Sequence, residues 1–540
     1  MGIQFEDGQT LTAAQANSLA QLVDLAAGAG AALIGTPDGT VQGDLDARPT
    51  SATLAASGGA GLVGTQLAAT GSVLRTQAGK NSDTVSALDF GADPTGATDS
   101  YAAFTDAIAA AWFVVIPPGT YLVNSSVSRP AGVTIVGMGR AKTIVKAGGN
   151  FPVFETTGSS TNVLVGGGVQ NMTLIGTYGT TNTNTASFGV SESWTNRSVH
   201  RDLEIYGCYV GMYGGQGLWQ VTWDNITADG AGTQQNYIGF MLDSLPTTLP
   251  SGTSNAVIAS NCIAQDVANA GFRLVNPNGS KFVNCEAEGM PYGWLIGNTS
   301  AGNYPIEFLH VANCLADTCS ANGWTVQQGS NAVAATDMQF ANIWAGNSGT
   351  GIYLDGCNGI NWTNIQADGN QGAGVVLHNS VNCLVSSVNL NGNNTANKSG
   401  IGDVTVSGGS YNKISNVISN PATSGSVSLL ESNGTDNNDF SDLTLYQGAT
   451  LIGSNSTIRA ARGYVPSNIP LTAGASPYTL LTYQYDAMIT ITATGGMTGL
   501  TVNGVSVSTS VGSSFFVKPG TTVVATWATT APTFEVIPMV

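Results

Sequence analysis

Charge is scarce in this 540-residue chain: only 9% of residues are Asp, Glu, Lys or Arg, and histidine occurs three times. Positive charge is scarcest, with 16 Lys and Arg against 33 Asp and Glu, a net charge of −17. A phosphate-binding surface needs clustered cations, so nucleic acid is excluded as a partner. Long apolar runs are missing as well. The longest, around Ala109 to Pro117, falls far short of the ~20 residues that span a bilayer, so membrane insertion is not expected. The opening Met1-Gly2-Ile3-Gln4-Phe5-Glu6-Asp7 is acidic where a signal peptide is basic, so no export signal is expected. Seven cysteines without a pair of CxxC motifs exclude a disulfide framework and a zinc site. No metal and no cofactor are expected. Gly137-Met138-Gly139 lacks the third glycine and the helix of a dinucleotide fingerprint, and reads as a strand corner.

What the chain has in quantity is glycine, 70 residues, and one short phrase that returns between residues 171 and 445. The phrase is a polar anchor, an inward apolar residue, a variable one, and a small or apolar one. Asn261-Cys262-Ile263-Ala264, Asn284-Cys285-Glu286-Ala287 and Asn313-Cys314-Leu315-Ala316 are three successive copies. The anchors Asn171, Asp202, Asn225, Asn261, Asn284, Asn313, Asn342, Asn364, Ser387, Asn416 and Asp442 follow at intervals of 31, 23, 36, 23, 29, 29, 22, 23, 29 and 26. A floor of 22 to 23 residues with insertions on top marks a solenoid whose coils carry loops. A second phrase, beginning at Gly239, Gly271, Gly293, Gly323, Gly351 and Gly374, runs about half a coil out of phase. Both alternate with period two, so each is a short strand with one buried face. No ten-residue amphipathic helix separates them, so the strands stack in parallel on their own copies. The predicted fold is all-β, a right-handed parallel β-helix.

The flanks differ. Residues 1–75 begin with an Ala- and Leu-rich helix over Thr12 to Ala27 and continue in Gly/Ala-rich sequence too thin for a core of its own, which predicts oligomerisation. Residues 76–463 form the solenoid, with a capping helix near 99–111 that places Ala103, Phe104, Ala107 and Ile108 on one face. Residues 464–540 read as short alternating strands that form a small β-sandwich.

Asp89-Phe90-Gly91-Ala92, the helix after Asp99 and Pro117-Pro118-Gly119-Thr120-Tyr121 resemble the opening of pectate-lyase-like β-helix proteins. Within that family the chain resembles bacteriophage tailspikes over roughly residues 1–460. The resemblance implies a homotrimer in the phage tail, joined to a tail or baseplate protein through its N-terminus. It also implies a bacterial surface polysaccharide, capsule or O-antigen, as the partner.

Alternation assigns the outward positions, two and four residues after each anchor. Read coil by coil they hold Thr227 and Asp229, Ile263 and Gln265, Glu286 and Glu288, Leu315 and Asp317, Trp344 and Gly346, Gln366 and Asp368. Carboxylates for proton transfer beside an indole for a sugar face suit a glycan site. Glu286, Glu288 and Asp317 are the expected catalytic groups, and Trp344, Asp368 and Asp229 the expected binding groups. Asp229, Glu288 and Asp368 each precede a glycine, where acids also occur for turn reasons. On the other outward face Arg273 and Tyr353 are candidate binding residues, and with His310 they would be the groups of a lyase. Trp294 and Trp324 fall at inward positions. The insertion from Gln234 to Asn255 is a candidate lip. The expected activity is depolymerisation by hydrolysis with paired carboxylates. A non-catalytic adhesin and a polysaccharide lyase are the alternatives.

Overall fold

The structure is a computed structural model. It describes residues 35–36, 39–40, 48–56, 58–179, 184–230, 235–243, 254–275, 277–297, 306–328, 335–422, 426–432, 435–447, 449–451, 456–462, 471–472, 476–480, 487–518 and 521–538. Residues 1–84 and 85–540 are two compact units. In the first, Gly64–Thr65 pairs antiparallel with Arg75–Thr76. The short helices Ser51–Ala55 and Gln77–Asn81 start on caps from the Thr50 and Thr76 side chains. The helix expected over Thr12 to Ala27 lies outside the described residues.

The second unit opens on the strand Val85–Ser86, and the helix Tyr101–Ala110 that follows buries Ala103, Phe104, Ala107 and Ile108. Phe104 packs on Tyr121 of the early strand Gly119–Val123, ring centroids 5.5 Å apart. The parallel strands then stack into one twenty-stranded and one thirteen-stranded sheet, with a small three-stranded sheet beside them. Neighbouring coils pair without slippage: Ile263, Ala264 and Gln265 face Glu286, Ala287 and Glu288, which face Leu315, Ala316 and Asp317. Alternation would flip every side chain on a one-residue slip, so the buried face specifies this register.

All eleven anchors have left-handed backbone, with φ between 52° and 59°. One such residue bends a strand and leaves the pairing on either side intact, so the twenty-stranded sheet has two facets meeting at the anchors. Asn and Asp tolerate this conformation better than other residues with a Cβ. Their amides also bond along the stack. Asn313 Nδ2 donates to Asn284 Oδ1 at 3.3 Å, Asn342 to Asn313 at 2.8 Å and Asn364 to Asn342 at 2.6 Å. At Asn284, Asn313, Asn342 and Asn364 the polar side chain therefore serves both the bend and the ladder.

Inside, Phe240, Phe272, Trp294 and Trp324 form a continuous stack with successive centroids 4.7, 4.0 and 4.6 Å apart. The indole N–H groups of Trp294 and Trp324 donate to the carbonyls of Leu315 and Trp344, both at 3.1 Å, so neither buried indole is left unpaired. Cys262, Cys285 and Cys314 are buried on consecutive coils, and all seven thiols are free. The thirteen-stranded sheet comes close to its neighbour at the glycine column. A Cβ on Gly271 would meet the Gly293 carbonyl at 2.8 Å and Ala287 at 2.9 Å.

An ion-paired group sits in this interior. Glu192 and His200 are fully buried and Arg129 is 1% exposed. Arg129 donates to Glu192 Oε1 at 3.3 Å, and Thr195 and Ser198 donate to Oε2 at 3.0 and 2.8 Å. The Val169 N–H donates to His200 Nδ1 at 3.2 Å, which turns the Nε2–H toward Glu192. Burial alone would push the Glu192 carboxyl up, but His200, Arg129 and Ser198 outweigh it and hold the group at about 2.

Residues 471–538 form two four-stranded antiparallel sheets. Ile489, Ile491, Leu500, Val523 and Phe534 are in their separate core. This is the β-sandwich expected at the C-terminal end.

Candidate active site

The facet that follows the anchors carries two outward columns. Two residues after each anchor the order is Thr173, Glu204, Thr227, Ile263, Glu286, Leu315, Trp344, Gln366 and Asn389. Four residues after, it runs Asp229, Gln265, Glu288, Asp317, Gly346, Asp368 and Asn391. Glu288 and Asp317 are direct register partners, about 4.8 Å apart along the stack, and Glu286 flanks Glu288 on the same strand. All three are half-buried. Burial pushes the Glu286 carboxyl up, and the charges of Glu288 and Asp317 push it further. Asn347 Nδ2 donates to Asp317 Oδ1 at 3.0 Å and orients that carboxyl.

Asp317 and Asp368 are two rungs apart, about 9.6 Å along the stack, with Gly346 between them. A Cβ at Gly346 would lie 2.4 Å from the Trp344 ring, so the indole lies over this glycine and occupies the gap between the two acids. Its N–H donates to Asp368 Oδ2 at 3.2 Å, and Gln366 Nε2 donates to the same oxygen at 2.6 Å. The indole is thereby held beside the acid cluster. Asp229 is on the same column but separated from Glu288 by Gln265, so it is outside the cluster.

Beyond Asp229 is a group that the outward pattern, if read one coil earlier, also contains. Tyr206 Oη donates to Glu204 Oε1 at 2.6 Å, and Thr173 Oγ1 donates to Glu204 Oε2 at 3.3 Å. Arg140 reaches this end of the columns from the corner after Gly137 and donates to Thr227 Oγ1 at 3.2 Å and to the Asn225 carbonyl. Nothing in the coil phrase points to Arg140, because it lies on a turn before the anchors begin.

The remaining candidates are elsewhere. Arg273 and Tyr353 face outward on the thirteen-stranded sheet, not beside the ladder, with Leu295 and Thr325 on the rungs between them. Burial pushes the nearby Asp243 carboxyl up and Arg273 partly offsets this. His310 is on the facet before the anchors, where a depression of about 300 Å³ is lined by Phe308, His310, Asp337, Met338, Gln339, Gly359 and Asn361. The grouping of Arg273, His310 and Tyr353 as one lyase centre is corrected at His310: Arg273 and Tyr353 share one column of the thirteen-stranded sheet, whereas His310 is on the twenty-stranded sheet. Of the candidate lip, residues 234 and 244–253 lie outside the described residues. No group of three or more His, Cys, Asp or Glu side chains among the described residues converges as metal ligands.

Stacked parallel coils and a capping helix define the class at the level of fold: a right-handed parallel β-helix. A family model for rhamnogalacturonase A/epimerase, pectate-lyase-like, matches residues 84–183. The pre-neck appendage proteins of Bacillus phages phi29 and PZA are each 22% identical over 266 residues, 48% of this chain. The match spans 27% of the length of these curated relatives. Among solved structures, a tailspike protein of E. coli bacteriophage HK620 aligns with a TM-score of 0.56 at 11% identity, covering 91% of this chain and 99% of that one. Tailspike protein 3 of bacteriophage CBA120 aligns with a TM-score of 0.55 at 14% identity, covering 84% and 73%. The tailspike resemblance drawn from the opening motif holds at the level of fold. Among the described residues no helix is long and apolar enough to cross a membrane.

Proposed function

We propose that this chain is a phage-tail spike that binds a bacterial surface polysaccharide, capsule or O-antigen, and shortens it by glycosidic hydrolysis. The observation that carries this reading is the Glu286, Glu288 and Asp317 cluster with the Trp344 indole fixed on the next rung. Glu286, whose proton is held more tightly, suits the general acid, and Asp317, oriented by Asn347, suits the second carboxylate. Trp344 offers an apolar surface to a sugar ring next to them. The likeness to tailspike and appendage proteins supports a place in the virion tail. Homotrimer formation and attachment through residues 1–75 belong to the same proposal. The exposure of Leu62, Leu67, Val73 and Leu74 near the end of that segment supports them, because apolar surface of this kind gains from a partner.

Product analysis on a panel of capsular and O-antigen polysaccharides tests the reading. New reducing ends without ultraviolet-absorbing double bonds are expected. Such absorbance would mean elimination, and binding without shortening would leave an adhesin. A second measurement concerns Trp344. Trp344→Ala is expected to weaken oligosaccharide binding about tenfold, in line with the ~0.5–1.5 kcal/mol of an aromatic contact beyond its area. Calorimetric titration with the product oligosaccharide checks this, and unchanged affinity would remove the indole from the site.

A further inference from the structure

The thirteen-stranded sheet carries a second constellation, on an outward column away from the acid ladder. Asp355, His378 and Ser407 are successive register partners on three consecutive coils. They are separated by 23 and 29 residues in the chain, so only the stacking brings them together. His378 Nδ1 is 2.8 Å from Asp355 Oδ1. An ionised Asp355 can only accept, so that contact calls for the ring proton on Nδ1 and leaves Nε2 as the accepting nitrogen of the ring. Ser407 is the outward residue of the following coil, about 4.8 Å along the stack. Asp355 and His378 are 38% and 40% exposed at their side chains, so the ring edge is open to a substrate. Tyr353 backs the imidazole, with ring centroids 6.2 Å apart and planes at 22°.

The next residues add a donor. Asn379 Nδ2 lies 3.1 and 3.4 Å from the two ring nitrogens. A Cβ at Gly408 would lie 2.3 Å from Asn379 Oδ1, so the Asn379 amide packs over the residue that follows Ser407. The end of the amide toward Gly408 is its acceptor oxygen, and the NH2 end stays on the imidazole. Orienting carboxylate, imidazole and hydroxyl in one line is the arrangement that activates a serine, whatever fold supplies it.

We propose that Asp355, His378 and Ser407 form a serine-hydrolase centre for short acyl esters carried on sugar hydroxyls. The sugar as carrier rests on the polysaccharide reading above; the ester chemistry does not. Ser407 Oγ bonds to the ester carbonyl carbon as its proton passes to His378 Nε2. The adduct expels the sugar alkoxide, which takes that proton and leaves as an alcohol. Water then attacks the acyl-serine and gives a proton to Nε2. Collapse frees the carboxylic acid and returns the proton to Oγ. Asp355 holds the ring in the productive tautomer throughout.

Two readouts on the full chain test this. A fluorophosphonate probe is expected to label one residue, Ser407, identified by peptide mass spectrometry, and the label should vanish in His378→Ala. Hydrolysis of 4-nitrophenyl acetate should fall at least about 10²-fold in Ser407→Ala and in Asp355→Asn. All three side chains are outward, and a circular dichroism spectrum matching the parent shows that the variants are folded. Absence of label at Ser407 in the folded parent, or ester hydrolysis unchanged in Ser407→Ala, overturns the proposal. Probe and aryl ester report the centre whether or not polysaccharide chains are shortened, so the two readings can fail separately.

Discussion

Replacing Asp317 with Asn is expected to slow polysaccharide shortening by about 10²–10⁴-fold while leaving binding within a few-fold, the usual scale for losing one proton-transfer group. Glu288→Gln should do the same. Both substitutions keep shape and remove the charge, exchanging one acceptor oxygen for an NH2 donor, so affinity for the intact polymer is the control. The two carboxylates also act on Glu286. Its raised carboxyl is due first to burial and then to Glu288 and Asp317. As a general acid it works protonated, so activity should fall on the alkaline side above the ordinary glutamate range. Removing either neighbouring charge lowers the cost of ionising Glu286. The residual activity of both variants should therefore lose its alkaline side at lower pH than the parent, and only partly, because the burial remains. A pH–rate profile of reducing-end release reads this directly. Full activity in both variants, with binding retained, would move the chemistry off this facet.

The largest stability effect belongs to a group with no part in that chemistry. Glu192→Gln leaves the Arg129 guanidinium inside the solenoid without its counter-charge, though its Nη1 still donates to the carbonyls of Gly166 and Val133 at 2.8 and 3.2 Å. Breaking a buried pair from one side costs about 3–5 kcal/mol, because the remaining charge stays desolvated. The unfolding midpoint in guanidinium should drop accordingly. Asp83→Asn, which breaks the exposed pair with Arg75, should leave its own unit unaffected, since solvent already screens it. The pH dependence has a definite sign. Glu192 is held at about 2 in the folded chain against an ordinary 4.5, so its contribution is complete above the ordinary value. It is lost as pH falls from about 4.5 toward 2, where the folded state must take up the proton. Glu192→Gln should abolish that part of the acid sensitivity. A variant as stable as the parent at neutral pH would show that solvent reaches Arg129.

Much of this protein was legible along the chain because a β-helix is nearly one-dimensional. Cys262, Ala264, Cys285 and Ala287 alternate with Ile263, Gln265, Glu286 and Glu288, and that alternation by itself assigns inside and outside. Equal phrases then stack on their copies, so the acid ladder and the buried Trp294 and Trp324 could be read from phase alone. The competing turn role of an acid before glycine does not remove Glu288 or Asp368 from that surface. What each coil holds was local information.

What lay across the anchors and corners was not. The anchor's left-handed backbone separates His310 from the acids a few residues further on, and a strand pattern carries no sign of such a bend. The indole of Trp344 settles over Gly346 because that rung alone lacks a side chain to keep it off. Arg140 arrives from a turn outside the repeat. Glu192, Arg129 and His200 meet in the interior from residues 63 and 8 apart, each polar where the pattern expects apolar packing. Asp355, His378 and Ser407 align only because insertions of different length are looped out between equal rungs. Sequence by itself determined the solenoid, its register and the faces of its strands, since those follow from period-two burial and repeated anchors. Tertiary structure alone decided which side chains meet, since that depends on backbone bends and coil stacking, which no single coil encodes.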